Sequence, residues 1–362
     1  MKVIFVFTKS ITFNIFLKKQ AEYFMKNGLK VELACSDVKA LNFNNILKHQ
    51  IDFPITIKEL FNPKKYINSY LQVKNLVKNN ESSIFYLHTP VASHLFRIIN
   101  FFNKLKIVYF VHGFRFTKST NIIKKFVFKL IEKILSLKTN IFITINKEDY
   151  NYAKLNLCKK ALSFKIKGIG LNLNNSHFKK RKLKKKNNVK KILVIAAYKN
   201  EKGYPEILKV AETLKKEKIK IDCYGYGNYY KYKLIKNKNK INNISFRKFD
   251  VNLKNKIKNY DLLLHLSKRE GLPVSVMQCL SEGLPVICYD IRGNNDLVQD
   301  EINGFFIKSY KEVLSRIFYL NLNPDIYSKI RLNAFRSINE EFSERQINLN
   351  IYKIIKKNFK KQ

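Results

Sequence analysis

A carboxylate and an amide eight positions apart, Glu270 and Gln278, flank a sharp turn in the stretch HLSKREGLPVSVMQCLSEGLPVICYDIRGNNDLVQDEING, His265 to Gly304. Glu270 falls in a loop and Gln278 just over two turns into the helix that the loop opens, so both side chains reach the same point. Gly271, Pro273 and the first helical amides, those of Val274 and Ser275, surround that point, with Arg269 beside them. Unpaired N–H groups at a helix start attract a phosphate or an electron-rich sugar, and a carboxylate and an amide can bond sugar hydroxyls. Two histidines, His88 and His112, end apolar runs elsewhere in the chain.

The elements that must hold these groups follow from apolar patterning. Tyr260 to Leu266 reads as a buried strand ending in Ser267. A helix begins near Pro273 and stops at Gly283, and Leu284 to Tyr289 forms the next strand. This is one βαβ unit, whose ligand side is the carboxyl end of its strands. Gly293 and Gly304 mark turns around a polar RGNND loop. Further strands are expected at Val3–Phe7, Val31–Ala34, Ser83–Pro90, Ile107–His112 and Ile141–Ile145. In the second half they are expected at Lys191–Ala196, Ile219–Tyr224 and Ile244–Phe249, with amphipathic helices between them. Apolar strands alternating with helices mean an α/β protein with parallel sheets.

Glu270-Gly271-Leu272-Pro273, then Gly283-Leu284-Pro285-Val286, then Arg292-Gly293-Asn294 resemble the donor-sugar motif of retaining GT-B glycosyltransferases of family 4. The strings HTP, VHGF and INKEDY resemble the amino-terminal domain of the subgroup that builds capsule, exopolysaccharide and lipid-linked oligosaccharide. The resemblance implies two Rossmann-like doubly wound domains facing across a cleft. It places His112 against the donor sugar and Glu270 on its hydroxyls, as the catalytic pair. It places Lys202 on the donor pyrophosphate, and Gly225, in Gly225-Tyr226-Gly227, at a strand end near the nucleotide. Ser10, His88, Thr89 and Arg115 fall on the acceptor side. The loop Thr8–Thr12 lacks the glycines many relatives carry there, so no donor contact is assigned to it.

Two positions depart from the family pattern. Gln278 stands where a second glutamate usually holds the ribose, which weakens that contact by ~1 kcal/mol. Ala197 stands where an arginine usually grips the pyrophosphate; Lys199, Arg269 or Arg292 are candidates to replace it, although a lysine lacks the planar fork of a guanidinium. No Asp-x-Asp occurs, so a metal clamp on the diphosphate is not expected, nor is any other cofactor.

Composition bounds the remaining choices. The chain has 362 residues, enough for two domains: 1–170, a basic linker 171–188, 189–345, and a carboxyl-terminal basic helix 346–362 that crosses back to the first domain or lies on lipid. No apolar run reaches ~18 residues without a charge, so no transmembrane helix is expected. Five cysteines without CxxC spacing fit reduced thiols in the cytoplasm. The net charge of +43 is mostly lysine spread over the whole chain, and no nucleic-acid motif accompanies it. An anionic membrane surface is the expected basic-patch partner, with the run Lys179–Lys186 as linker or lipid contact. The expected substrates are a nucleotide sugar, most simply a UDP-hexose or N-acetylhexosamine, and a polyprenyl-pyrophosphate-linked saccharide. The expected location is the inner face of the cytoplasmic membrane. Two alternatives stay open: a non-catalytic basic membrane- or nucleic-acid-binding protein on a degenerate GT-B scaffold, and, less favoured, a sugar-nucleotide epimerase of the same shape.

Overall fold

The computed structural model describes residues 1–54, 59, 62–173 and 187–359; the lysine-rich run Lys179–Lys186 lies outside the described residues. The chain forms two compact units, Met1–Asn172 with Ser343–Gln362, and Leu173–Phe342.

In the first unit seven strands form one parallel sheet: β1 (Lys2–Val6), β2 (Lys30–Cys35), β3 (Lys48–Gln50), β4 (Ile84–Leu87), β5 (Lys106–Val111), β6 (Ile141–Thr144) and β7 (Leu162–Lys165). Their order is β3-β2-β1-β4-β5-β6-β7. Parallel strands covered on both faces are apolar throughout, and β1 shows it: Val3, Ile4, Phe5 and Val6 are all fully buried. Three of the crossover helices have a side-chain cap at their start. Asn62 accepts the Lys65 N–H ahead of Pro63–Lys78, Asn121 accepts the Ile123 N–H ahead of Ile122–Ser136, and Asn146 accepts the Asp149 N–H at 2.8 Å ahead of Lys147–Asn156. The helix after β1 starts at Ser10 and contains one wide π turn, Phe13–Leu17.

The last helix, Glu344–Phe359, belongs to this unit. Ile347, Ile351, Ile355 and Phe359 bury its inner face, Tyr352 donates to the Asn27 carbonyl at 3.0 Å, and Gln20 reaches Asn348. Its apolar residues are thus spent on protein, which excludes the expectation that this helix lies on lipid. The last strand of the unit is Leu162–Lys165, and the chain then reaches Gly170, whose backbone abuts Glu344.

The second unit repeats the plan with six parallel strands: β8 (Lys191–Ile195), β9 (Lys220–Gly225), β10 (Ile244–Lys248), β11 (Leu262–His265), β12 (Val286–Tyr289) and β13 (Gly304–Ile307), in the order β10-β9-β8-β11-β12-β13. Gly304 opens β13 rather than making a turn; a side chain there would sit 2.4 Å from the Val286 carbonyl oxygen of the adjacent strand. Both sheets reverse direction of winding beside their first strand, between β1 and β4 and between β8 and β11. Open α/β sheets leave a crevice at that reversal, outside the carboxyl ends of the strands. All five cysteines are unpaired, and no described helix is long and apolar enough to cross a membrane.

Candidate active site

The loop after β8 and the loop after β11 meet at the reversal point of the second sheet. Lys202 comes from the first and Glu270 from the second, and Lys202 Nζ donates to Glu270 Oε1 at 2.6 Å. His265, the last residue of β11, brings Nε2 to 3.4 Å from the same oxygen. The Lys202 and Glu270 side chains are 23% and 13% exposed, so the pair is largely but not fully withdrawn from water. Burial works to raise the Glu270 pKa, but the contacts with His265 and Lys202 outweigh it and hold the carboxyl down at about 2. Glu270 is an anion at any physiological pH.

Two glycines let the loops come this close. Gly203, at φ +83, sits between Lys202 and the helix Tyr204–Thr213, and a side chain there would lie 2.1 Å from the Leu266 carbonyl oxygen. Gly293, also at φ +83, has Gly271 O where its Cβ would be, at 2.2 Å. Arg292 next to it is buried and donates from Nε to the Glu270 carbonyl at 3.0 Å. The RGNND turn therefore clamps the Glu270 loop from behind, and Arg292 serves that clamp rather than standing free to replace the missing arginine at Ala197. Arg269 is exposed in the loop, and its carbonyl lies 3.5 Å from Lys202 Nζ. Lys199 is exposed and only loosely paired with Glu201, at 3.9 Å.

Beyond Glu270 the chain passes Gly271 and Pro273 into the helix Val274–Ser281, with Pro273 at the cap and no side chain capping it. Val274, Ser275 and Gln278 are all partly exposed on it, while Val276 and Met277 are buried core. Gly225, at the end of β9, is held against the Ala196 carbonyl, where any Cβ would come within 1.8 Å. One step beyond it Tyr226 stacks on Phe249 with ring centroids 4.0 Å apart, both rings nearly half exposed.

In the first unit, the same reversal point carries the histidines. His88 follows β4 and His112 follows β5; His88 Nδ1 lies 3.3 Å from His112 Nε2. His88 is packed among Phe5, Tyr86 and Phe110, and its Nε2 has no partner among the described residues. Burial pushes the His88 pKa well below the ordinary histidine range, helped by His112, and pushes His112 down to about 4. Both rings are neutral near pH 7, so the hydrogen bond between them has one donor and one acceptor. Thr89 is half-buried ahead of the helix Pro90–Ile99, its Oγ1 unpartnered among the described residues, and Arg115 is exposed. Ser10 is different. It is buried, and both its N–H and its hydroxyl donate to Asp37 at 2.6 Å, so it fixes the β1 and β2 loops to each other.

His265 is the group that sequence reasoning passed over. It ends a strand as His88 and His112 do, and that rule applied to β11 would have found it.

These titrations give a pH prediction. Glu270 has a depressed pKa, so its contribution to stability is full above about 4.5 and is lost as pH falls toward 2. A histidine held neutral in the fold costs stability once the unfolded chain can protonate it, so His112 acts from about 6.5 down to about 4. The thermal midpoint should fall in acid in two stages. His112→Asn should flatten the first stage by up to ~1.4 kcal/mol per pH unit, measured by thermal unfolding between those limits; an unchanged slope would remove His112 from the account.

The comparisons with known proteins agree with this architecture. The family described as "Glycosyl transferases group 1" matches residues 175–336, and the one described as "Glycosyl transferase 4-like" matches residues 2–146. EpsD of Bacillus subtilis, named as a glycosyltransferase, is 28% identical over 85% of this chain and 83% of its own length. The O-antigen biosynthesis glycosyltransferase WbnH of Escherichia coli is 24% identical over 76% of this chain and 77% of its own. An Escherichia coli enzyme named UDP-Gal:alpha-D-GlcNAc-diphosphoundecaprenol alpha-1,3-galactosyltransferase is 24% identical over 67% of each chain. Among solved structures, HepE of Anabaena, in complex with UDP and glucose, superposes with a TM-score of 0.74 over 99% of this chain and 100% of its own at 15% identity, which speaks for the fold alone. The two family matches cover one unit each, and the chain belongs to the GT-B glycosyltransferases of the kind that build capsular and extracellular polysaccharides.

Proposed function

We propose that the chain transfers a hexose or N-acetylhexosamine, with retention, from a UDP-sugar to a saccharide carried on polyprenyl pyrophosphate, at the inner face of the cytoplasmic membrane. The observation that carries the donor side is the Lys202–Glu270 pair at the reversal point of the second sheet. A diphosphate arriving beside the Val274 helix start takes over Lys202 as its counter-ion, and the freed Glu270 oxygen accepts from a sugar hydroxyl while His265 keeps it ionised. Negative charge building on the departing diphosphate is met by Lys202 and the amides of Val274 and Ser275, with Arg269 and Lys199 at the rim. Gln278 bonds the ribose, and the strand end at Gly225 lies beside the nucleotide. Transfer then needs no metal ion. In the first unit, His112 bonds the donor sugar as a neutral ring, with His88, Thr89 and Arg115 on the acceptor side; Ser10 is withdrawn from that role by Asp37.

The printed name of the galactosyltransferase relative, with its UDP-galactose and its diphosphoundecaprenol acceptor, supports the substrate classes, as does the UDP and glucose complex of HepE. The test is incubation of the full chain with radiolabelled UDP-sugars and membrane extract, with and without EDTA. Label passing into the lipid extract, with the anomeric configuration of the donor kept, is the expected result. Label released only as free sugar, or transfer that EDTA abolishes, would reject it.

Gln278 offers a gain-of-function check. Gln278→Glu restores a charged acceptor for the ribose hydroxyls and should tighten UDP binding about fivefold, measured by calorimetric titration. Weaker binding would show that Gln278 does not face the ribose.

A further inference from the structure

The helix Ile122–Ser136 in the first unit buries Leu135 and part of Phe128 but turns most of its apolar residues outward. An amphipathic helix on a protein surface buries its apolar stripe and shows polar residues to water. Here the inner face carries charge: Arg97, completely buried, makes a two-pronged contact with buried Glu132 at 2.8 and 3.3 Å, and its guanidinium lies 4.5 Å from the centre of the Tyr109 ring. The outer face is apolar. Ile122 is 80% exposed, Ile123 71%, Phe126 67% and Leu137, just past the helix end, 62%, and Val127, Leu130 and Ile134 are all about half exposed. These residues occupy less than half the circumference of one helix, with Lys124 and Lys138 along one edge and Lys133 at the other. The patch continues past the helix end, where Lys138 sits over the Phe101 ring and neighbouring Phe102 is 82% exposed. A contiguous apolar surface of this kind is rare on a protein that meets only water.

We propose that this face is where the protein docks on an anionic lipid bilayer, the helix lying in the plane of the interface. The apolar row enters the acyl boundary, and the lysines along both borders meet lipid phosphates, which is the arrangement of an interfacial helix. At 15 residues the helix presents a row about 22 Å long. The buried Arg97–Glu132 pair fixes which way the helix faces, so the row stays outward without lipid. The charge complement favours lipid over a second copy of this chain, whose lysines would meet like charge. The inference stands on the exposed face and not on the acceptor assigned above.

The experiment is flotation of the full chain with vesicles of half phosphatidylglycerol and half phosphatidylcholine, free of any saccharide acceptor. The natural sequence should float with them and not with pure phosphatidylcholine. Phe126→Ser with Leu130→Ser should weaken binding at least about tenfold, and Lys124→Gln with Lys133→Gln about 25-fold, roughly fivefold per lysine. All four residues are exposed, so an unchanged thermal midpoint and an unchanged affinity for UDP separate lost docking from lost folding or a lost donor site. Absence of flotation, or flotation untouched by both pairs, would overturn the proposal. So would a dimer in solution that Phe126→Ser with Leu130→Ser converts to monomer, because the face would then belong to a second copy.

Discussion

Lys202→Ala should lower kcat/KM for sugar transfer between about tenfold and 150-fold, the loss of one charge-assisted contact worth about 1.5–3 kcal/mol. Lys202 is the one lysine of its loop that the fold brings to Glu270, at 2.6 Å, while Lys199 points to water. Its absence leaves the departing diphosphate to the helix amides and to the rim cations Arg269 and Lys199. The thermal midpoint should fall only a few degrees, because the pair keeps some water access and Glu270 retains His265. Lys202→Arg should recover part of the rate, since it restores the charge with a different shape. Steady-state kinetics with the three proteins decides the matter; a fully active Lys202→Ala enzyme would show that the diphosphate is held elsewhere.

Gly293→Ala should be the more damaging change, because it moves the loop that carries Glu270. A methyl group at φ +83 is strained by itself, at a cost of ~1–2 kcal/mol. Here it would also meet Gly271 O at 2.2 Å and the Gly271 carbonyl carbon at 2.8 Å, both backbone atoms that cannot swing aside. The loop must shift, and the Arg292 contact to the Glu270 carbonyl shifts with it. The expectation is a loss of ~2–4 kcal/mol in stability and at least about a hundredfold in rate, read by urea unfolding and by transfer assay. Gly28→Ala separates the two causes. Gly28 has nearly the same φ, +82, with nothing within 4 Å of the added carbon, so only the strain of ~1 kcal/mol should appear and activity should not change. Equal behaviour of the two variants would mean that the Gly271 contact is unimportant.

The parts of this fold that were legible in the sequence are those where local chemistry and burial agree. Strands β1, β4, β5 and β8 are mainly apolar runs because both faces of the sheet are covered, and Asn146 and Gly283 carry a helix start and a helix stop signal respectively. β3 was not legible. Its residues, Lys48, His49 and Gln50, are polar because it is a short edge strand whose pairing with β2 is made by backbone, with His49 answering Glu32. β13 was hidden because a glycine opens it, and glycine ordinarily argues for a turn.

The candidate site was half legible. Glu270 and Lys202 lie 68 positions apart, and only the sheet order makes them neighbours. That Ser10 is locked to Asp37, and that Arg292 turns inward to the Glu270 carbonyl, depends on side-chain directions no spacing encodes. The Ile122–Ser136 helix misleads in the opposite sense. Periodicity alone would send its apolar row into the core, whereas the side that faces inward carries Glu132, paired with Arg97 on another helix.

The most direct test of the central claim is UDP titrated into the full chain while thermal unfolding is followed. Anything that binds only the folded state raises its midpoint. The Lys202–Glu270 site at the reversal point of the second sheet requires a concentration-dependent rise for the natural sequence, a rise largely lost in Lys202→Ala, and a rise kept in His112→Asn. An equal rise in the natural sequence and in Lys202→Ala would place the nucleotide somewhere other than beside Lys202.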